Sequence, residues 1–209
     1  MKRYYFMVTF LPKEANLELL MGRCVSIMHD YICKYEIQGM GVSLPTWSND
    51  SIGNVIAFIH KDTSILNKLS GNKYFQDMKE VGFFKLSDVS PVPDNCGEVR
   101  FIRNQNIAKK FVGETRRRLK RVKKRALDRG EEFNPIKSSF SRGFDAFHRI
   151  PASSKSSQQD YILHIQREIS VLRVEPEFNY YGFATNLEYR GSVPDLSKHI
   201  TIENPLNFS

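Results

Sequence analysis

Histidine and cysteine are the side chains that most often transfer protons or bind metals, and this chain contains five histidines and three cysteines. Their spacing includes no CxxC or HxH pair, which argues against a zinc ribbon, and the odd cysteine count argues against a disulfide framework. His29 and Cys33 are four residues apart, but a metal site there would need further ligands that the nearby sequence does not offer. An exposed imidazole can instead exchange a proton near neutral pH, which is the chemistry we consider for His29.

The helical periodicity around His29 bears on its exposure, because a histidine inside a helix is more often a packed or surface residue than a catalyst. With Leu20 as the reference on a helical wheel, His29 falls at about 180°, opposite the apolar stripe. Gly22 precedes His29 by two turns on the same face, which leaves room for another group to approach. We therefore predict that His29 lies outside the core.

A run of cations, RRRLKRVKKR, extends from Arg116 to Arg125, with eight Lys or Arg among ten residues. The wider segment 100–129 contains 13 Lys or Arg and two acids, whereas the net charge of the whole chain is only +8. The remainder is therefore net negative, and the positive charge is concentrated in one element. A solvated charged surface or a disordered basic tail is the ordinary explanation of such a run. Adjacent like charges over three turns favour a polyphosphate partner, and hence a nucleic acid.

The basic run has the period of a helix with two different faces. Its apolar stripe consists of Ile107, Phe111, Thr115, Leu119, Val122 and Ala126, and Gly130 is suited to end the helix. The opposite face is predicted to bind a nucleic acid through Lys110, Arg117, Arg118, Lys120, Arg121, Lys124 and Arg125.

Arg103 and Gln105 form an R-x-Q pair directly before the basic helix. If 99–103 is a strand, both side chains leave its end at the base of that helix. Arg pairs with guanine O6 and N7, and Gln pairs similarly with adenine, so the pair could read base edges.

Because no metal-ligating cluster is evident, we expect phosphodiester chemistry here to use neither a metal nor a cofactor. RNA carries its own nucleophile, the 2′-hydroxyl, and a protein needs only to orient it and to move protons. Such an enzyme would cut RNA and not DNA.

The predicted order of elements in the first half of the chain is βαββαβ. Strands are predicted at 4–11, 41–45, 55–60 and 81–89, with a helix over 16–35 and a second helix capped by Asp62. The stripe of the first helix comprises Leu17, Leu20, Cys24, Ile27, Met28 and Tyr31. This order predicts a ferredoxin-like domain over 1–95 that carries His29.

Prolines and glycines near residue 95 mark a predicted boundary. The second domain, 96–209, is predicted to bind a nucleic acid through the basic helix and to contain a small antiparallel sheet. Its strands are expected at 99–103, 161–166, 170–174 and 180–185, with a surface loop over 151–159. The overall class is therefore α+β.

With 41% hydrophobic and 12% aromatic residues, the composition is that of a globular protein. The apolar run near the start stops at Pro12, too early for a signal peptide, and no stretch is long enough for a membrane span. We expect a cytoplasmic protein with no membrane partner.

Several short motifs occur in order along most of the chain. They are FLP at the end of the first strand, MHDY around His29, GVSLP at 41–45, FIRNQ at 101–105, the arginine-rich helix, the serine-rich segment before Tyr161, YYGF at 180–183 and SVP at 192–194. In this order and spacing the chain resembles the Csy-type CRISPR repeat endoribonucleases of the type I-F system. That family cuts precursor CRISPR RNA at a repeat hairpin and stays bound to the product.

The resemblance implies roles for three catalytic residues. His29 corresponds to the catalytic histidine, Ser154 to the serine that holds the nucleophilic 2′-hydroxyl, and Tyr181 to a tyrosine that orients the histidine. A shift of one residue in the serine-rich segment would move the second role to a neighbouring serine.

The resemblance also implies contacts with RNA. Arg103 and Gln105 match the pair that reads bases low in the stem, and Arg118 and Arg121 match groove-facing arginines, while the next such arginine falls on Val122. The loop residues and the aromatic near the scissile nucleotide correspond to Ser156, Ser157 and Tyr161.

We therefore interpret the chain as a metal-independent endoribonuclease that generates guide RNAs from the repeat hairpin. It would remain bound as a subunit of a type I-F surveillance complex, with other protein subunits or a transposition adaptor as partners. The alternatives are a non-catalytic subunit that only caps the hairpin, and a ribosomal or regulatory duplex-binding protein. An exposed titratable group at His29 favours the enzyme.

Overall fold

The structure, a computed structural model, describes residues 2–108, 112–130, 145–154, 159–169, 171–186 and 188–200, with the backbone alone at 112–119, 154 and 159. Its elements in order are β1 (Tyr4–Phe10), α1 (Leu17–Tyr35), β2 (Gly41–Ser43), β3 (Val55–His60), α2 (Thr63–Ser70), α3 (Lys73–Glu80), β4 (Phe84–Leu86), β5 (Ser90–Pro91), β6 (Glu98–Arg103), α4 (Gln105–Ala108), α5 (Val112–Asp128), β7 (Phe147–Ser154), β8 (Gln159–Glu168), β9 (Ala184–Thr185), β10 (Val193–Pro194) and a 3₁₀ turn (Ser197–His199).

The first half forms an antiparallel sheet with the strand order β2-β3-β1-β4, and β5 also pairs with β1. Together with the helices that connect these strands, this order is the ferredoxin-like arrangement, so the predicted α+β class is confirmed. The strand predicted at 81–89 was too long, since β4 covers only Phe84–Leu86. The short polar helix α3, which buries only Phe75, was missed.

Helix α1 covers one face of this sheet, and its ends follow from local chemistry. The Asn16 side chain accepts a hydrogen bond from the Leu19 amide at 3.0 Å, and Glu36 adopts a left-handed conformation (φ 52°) that ends the helix. Its buried residues are Met21, Gly22, Cys24, Val25, Met28 and Ile32. The apolar members of this list share one side of the helix, whereas Gly22 lies on the side of His29, where β7 covers it.

The second half forms another sheet, with the order β10-β6-β8-β7 and the short β9 beside β6. All its pairs are antiparallel except β6 with β9. The strand expected at 170–174 was wrong, because residues 171–174 have no regular structure and Leu172 is 87% exposed. The loop expected at 151–159 was wrong in part, because Pro151–Ser154 belong to β7 and pair with Gln159–Ile162.

The two sheets share one cluster of buried side chains, which includes Phe58 and Met28 from the first half and Phe101, Ile150 and Leu163 from the second. Where α1 meets β7 the backbones come very close. A Cβ built on Gly22 would lie 1.9 Å from the carbonyl oxygen of Pro151. The group that approaches this glycine is therefore a strand, and the close contact ties the β7–β8 hairpin to α1.

None of the helices in the described part of the chain combines the length and the apolar composition needed to span a bilayer.

Candidate active site

His29 lies in the second half of α1 and is not among the buried residues, as its position on the helical wheel predicts. Its ring nitrogen Nδ1 is 3.0 Å from the carbonyl oxygen of Tyr180. A carbonyl can only accept a hydrogen bond, so Nδ1 must carry the proton and donate it. In the neutral ring this leaves the lone pair on Nε2, the nitrogen that could accept a proton from a substrate.

Tyr181 holds the same imidazole from its face. The two rings stack with centroids 4.4 Å apart and an angle of 14° between their planes. Two consecutive residues, Tyr180 through its carbonyl and Tyr181 through its ring, thus restrict the orientation of His29. This geometry suits the orienting role predicted for Tyr181.

Two further predicted residues join this group. The guanidinium carbon of Arg103 lies 5.3 Å from the centroid of the Tyr181 ring, a cation–π arrangement. The hydroxyl of Tyr161 is hydrogen-bonded to the hydroxyl of Tyr181. His29, Arg103, Tyr161 and Tyr181 come from α1, β6, β8 and the turn before β9, and we call them the His29 cluster.

The pKa of Tyr161 is raised well above its ordinary value, mainly by burial and next by its hydrogen bond to Tyr181. The positive charge of Arg103 lowers this pKa, but it does not outweigh the other causes. Tyr161 therefore remains a neutral phenol at physiological pH and keeps its hydroxyl available to hold Tyr181.

A tight turn places Tyr180 and Tyr181 over His29. The side-chain oxygen of Asn179 accepts hydrogen bonds from the amides of Tyr181 (2.8 Å) and Phe183 (3.3 Å). Gly182 has φ +74°, and a Cβ there would lie 2.6 Å from Cγ2 of Val42. Sequence reasoning missed Asn179 as a positioning residue, although Asn followed by Gly in NYYG is typical turn composition.

Cys33 is the other titratable group beside the histidine, with Sγ 3.8 Å from each ring nitrogen of His29. Its pKa is raised, mainly by burial and next by the charge of Asp30, so it is a neutral thiol. The described residues contain no group of three or more His, Cys, Asp or Glu side chains that could hold a metal ion.

The serine-rich segment is at the end of the β7–β8 hairpin. Ser154 is the last residue of β7 and pairs with Gln159, two positions beyond the pair of Ala152 with Tyr161. Along β7, the backbone of Ser154 is therefore two residues from Ala152, the residue opposite Tyr161 of the His29 cluster. The Ser154 side chain and all of Ser156 and Ser157 lie outside the described residues.

Asn104 joins the two predicted base-reading residues, and sequence reasoning did not identify it. Its Oδ1 accepts from the Asn106 amide at 3.0 Å, and its Nδ2 donates to Gln166 at 2.7 Å. Asn104 therefore anchors the start of α4 to β8. As a consequence Gln105 is exposed on α4, whereas Arg103 points towards Tyr181 from the end of β6.

The basic helix is α5. Its exposed cations include Lys120, Arg121, Lys124 and Arg125, in agreement with the predicted charged face. Ile107 and Ala126 of the packing stripe are buried, but Val122 is 46% exposed, so its predicted burial was wrong. Gly130 has φ +69°, the left-handed conformation expected of a residue that ends a helix. Val122 is the position at which the resemblance places an arginine, and its exposure suits such a position.

Part of the predicted basic face is not described. Lys110 and Phe111 lie outside the described residues, as do the side chains of Thr115, Arg117, Arg118 and Leu119.

Comparison with known protein families matches residues 5–195 to the family described as CRISPR-associated protein (Cas_Csy4). No curated protein matches the chain. The matched segment contains both sheets, the basic helix and the whole His29 cluster. Because the match covers far more than half of its length, the chain belongs to the Csy4 family of CRISPR-associated endoribonucleases.

Proposed function

We propose that this protein cleaves precursor CRISPR RNA at the base of the repeat hairpin without a metal ion. It then stays bound to the 3′ hairpin of the guide RNA as a subunit of a type I-F surveillance complex. The observation that carries the proposal is the geometry of His29. The Tyr180 carbonyl and the Tyr181 ring hold its imidazole in one tautomer, with Nε2 as the proton acceptor.

In the proposed reaction the 2′-oxygen of the nucleotide before the cut attacks the adjacent phosphorus. The bond from phosphorus to the 5′-oxygen of the next nucleotide breaks. Nε2 of His29 accepts the proton of the 2′-hydroxyl, and the resulting imidazolium returns a proton to the departing 5′-oxygen. The products are a 2′,3′-cyclic phosphate and a 5′-hydroxyl, with no water, metal or cofactor consumed.

The remaining members of the His29 cluster support this chemistry. Tyr181 is held by Tyr161 and Arg103, so its ring is a rigid support for the imidazole. The guanidinium of Arg103 is one ring away from His29, where a cation also favours an RNA phosphate. Ser154, at the end of the hairpin, is proposed to hold the 2′-hydroxyl.

The hairpin itself is proposed to bind along α5. Side chains cannot read the deep major groove of a long A-form duplex, but the groove of a short hairpin is open at both ends. Exposed cations such as Arg121 and Lys124 can then contact the phosphates of both strands. Arg103 and Gln105 are proposed to add base contacts near the bottom of the stem.

This assignment divides the chain by role. We propose that residues 1–95 form the ferredoxin-like domain that supplies the catalytic histidine and that residues 96–209 form the hairpin-binding domain. A product that remains bound through α5 would link the protein to other subunits of the complex or to a transposition adaptor.

Cleavage of repeat RNA by the purified protein tests the proposal. Cleavage should proceed in excess EDTA, and mass analysis should find the cyclic phosphate upstream and the 5′-hydroxyl downstream. His29→Ala should lower the cleavage rate by about 10² to 10⁴, the usual contribution of a positioned acid or base. Hairpin affinity should stay near wild type, because α5 is unchanged.

His199→Ala is the matched control, since His199 lies in the 3₁₀ turn near the end of the described chain. This variant should cleave at the wild-type rate. A strict metal requirement, or full activity of His29→Ala, would exclude this mechanism and favour a subunit that only binds the hairpin.

A further inference from the structure

A groove of about 440 Å³ runs between α1 and the β7–β8 hairpin. It is lined by residues 19, 22, 23 and 26 of the helix and by residues 151–153 and 160–162 of the hairpin, and we call it the α1 groove. None of its α1 residues has a role in the function proposed above. Tyr161 alone belongs both to this groove and to the His29 cluster.

The α1 groove and the candidate active site share Tyr161 and lie along the same helix. Gly22, Ser26 and His29 follow one another at spacings of four and three residues, so they lie on one face of α1. Ser26 precedes His29 by about 4.5 Å along the helix axis, at 1.5 Å per residue. β7 covers this face at Gly22, so a chain that passes from the His29 imidazole to Ser26 can enter the groove only on the side of Arg23 and Leu19.

The strand order gives the direction of that path. Arg103 is in β6, Tyr161 in the neighbouring β8, and Ser153 in β7, the edge strand of the same sheet. The stem is proposed to lie on the side of Arg103 and α5. An RNA strand that leaves the stem and crosses Tyr181 and Tyr161 then meets the groove. The part of this strand that lies beyond the cut is the RNA on the 3′ side of the scissile phosphate.

The lining suits an unpaired nucleotide. Arg23 supplies an exposed cation for a phosphate, and its guanidinium lies 5.7 Å from the centroid of the Tyr74 ring, which restrains it. Ser153 supplies a hydroxyl for ribose or phosphate oxygens. The Ser26 hydroxyl donates to the Gly22 carbonyl at 2.8 Å, so towards RNA it can only accept a hydrogen bond, as from a ribose hydroxyl. The carboxylate of Asp160 is also exposed at the groove, and it opposes the binding of an anion.

Apolar surface completes this arrangement. Leu19 is 57% exposed and Ile162 is 47% exposed, and they border the groove on the helix and the hairpin, respectively. An unpaired base can bury apolar surface against such side chains while the phosphate meets the cation.

We propose that the α1 groove binds the single-stranded ribonucleotides immediately 3′ of the scissile phosphate, with Arg23 on a phosphate of that segment. This inference rests on the proposed function, since it assumes that the hairpin binds along α5 and that the RNA is cut beside His29. Its consequence is that the protein holds its substrate on both sides of the cut and its product on one side only. Release of the downstream fragment then requires only loss of the groove contacts.

Binding of a non-cleavable RNA tests the proposal with the full-length protein. The probe is the repeat hairpin with a 2′-deoxy nucleotide before the cut, either ending there or extended by four nucleotides on the 3′ side. In wild type the extension should increase affinity by about fivefold to tenfold, as expected for one base packed on apolar side chains and one phosphate contact.

Arg23→Ala should reduce this gain to less than twofold and leave the affinity for the unextended hairpin unchanged. For the extended RNA, the slope of log affinity against log salt should become shallower by about 0.7, the value for one single-strand phosphate contact. Lys34→Ala is the matched control. It also removes an exposed α1 cation that lies over a tyrosine ring, but outside the groove, and the gain should persist.

Asp160→Asn gives a change of opposite sign, because loss of the carboxylate should increase the gain from the extension. A damaged fold cannot tighten binding, so the two variants together separate a groove contact from misfolding. The proposal is overturned if the extension adds no affinity in wild type, or if Arg23→Ala keeps the full gain. Failure to bind even the unextended hairpin would overturn the proposed function itself.

Discussion

Replacing Gly22 by alanine tests the contact that brings α1 and the β7–β8 hairpin together. The added Cβ would lie 1.9 Å from the Pro151 carbonyl oxygen, whereas real Cβ contacts are essentially never shorter than 3.0 Å. The two backbones must therefore separate by about 1 Å. Pro151 pairs with Ile162 within the hairpin, so the movement displaces a whole strand or a whole helix.

Two effects should follow from this displacement. Overpacking of a close contact costs about 1 to 3 kcal/mol in the free energy of unfolding, which for a chain of this length lowers Tm by roughly 2 to 4 °C per kcal/mol. His29 moves with α1 relative to Ser154, and a misplacement of about 1 Å at a reacting centre can lower the rate by about 10². We expect the cleavage rate to fall by more than the fraction of folded protein falls at the assay temperature.

Chemical denaturation gives the stability, and single-turnover cleavage with the protein in excess gives the rate. Gly97→Ala is the control, because the nearest atom to its built Cβ is 4.0 Å away, and its stability should change by less than about 0.5 kcal/mol. A Gly22→Ala protein with wild-type stability and wild-type cleavage rate would refute the close approach of α1 and β7.

Two other expected outcomes concern RNA affinity and pH. Arg121→Ala should weaken hairpin binding and flatten its salt dependence by roughly one phosphate contact, whereas Lys68→Ala on α2 should change neither. Binding titrations in which Arg121→Ala and wild type have the same salt slope would argue against α5 as the RNA interface. Burial raises the pKa of Tyr74 to about 12 from an unfolded value near 10.0, so the stability that depends on its neutral form is complete below pH 10 and is lost as the pH rises towards 12. Denaturation measured between these pH values should show a shallower loss of stability in Tyr74→Phe, and an unchanged pH dependence would contradict the buried, neutral phenol.

Local patterns were sufficient to predict the elements with strong periodicity or caps. Helix α1, with Asn16 at its start, and β3 were predicted within a residue, because their apolar spacing and capping chemistry depend only on near neighbours in the chain. The same local reasoning placed His29 outside the core. It failed at 170–174, where β-branched residues predict a strand that does not form, because strand formation depends on a partner elsewhere in the chain.

The candidate site was predictable residue by residue but not as an arrangement. Motif order pointed to His29, Tyr181, Tyr161 and Arg103, and the basic run pointed to a polyphosphate partner. That Tyr180 would hold His29 through its backbone carbonyl has no sequence signal, because any residue supplies a carbonyl.

The sequence by itself determined the secondary structure of the strongest elements, the position of His29 outside the core and the concentration of positive charge on one helix, since these depend on side chains a few residues apart. Only the tertiary structure decided that β6, β8 and the turn before β9 converge on α1, and that a groove lined by Arg23 shares Tyr161 with the His29 cluster. These contacts join residues up to 151 positions apart. Their geometry depends on strand order and on close backbone approaches such as that of Gly22 to Pro151, which no local pattern encodes.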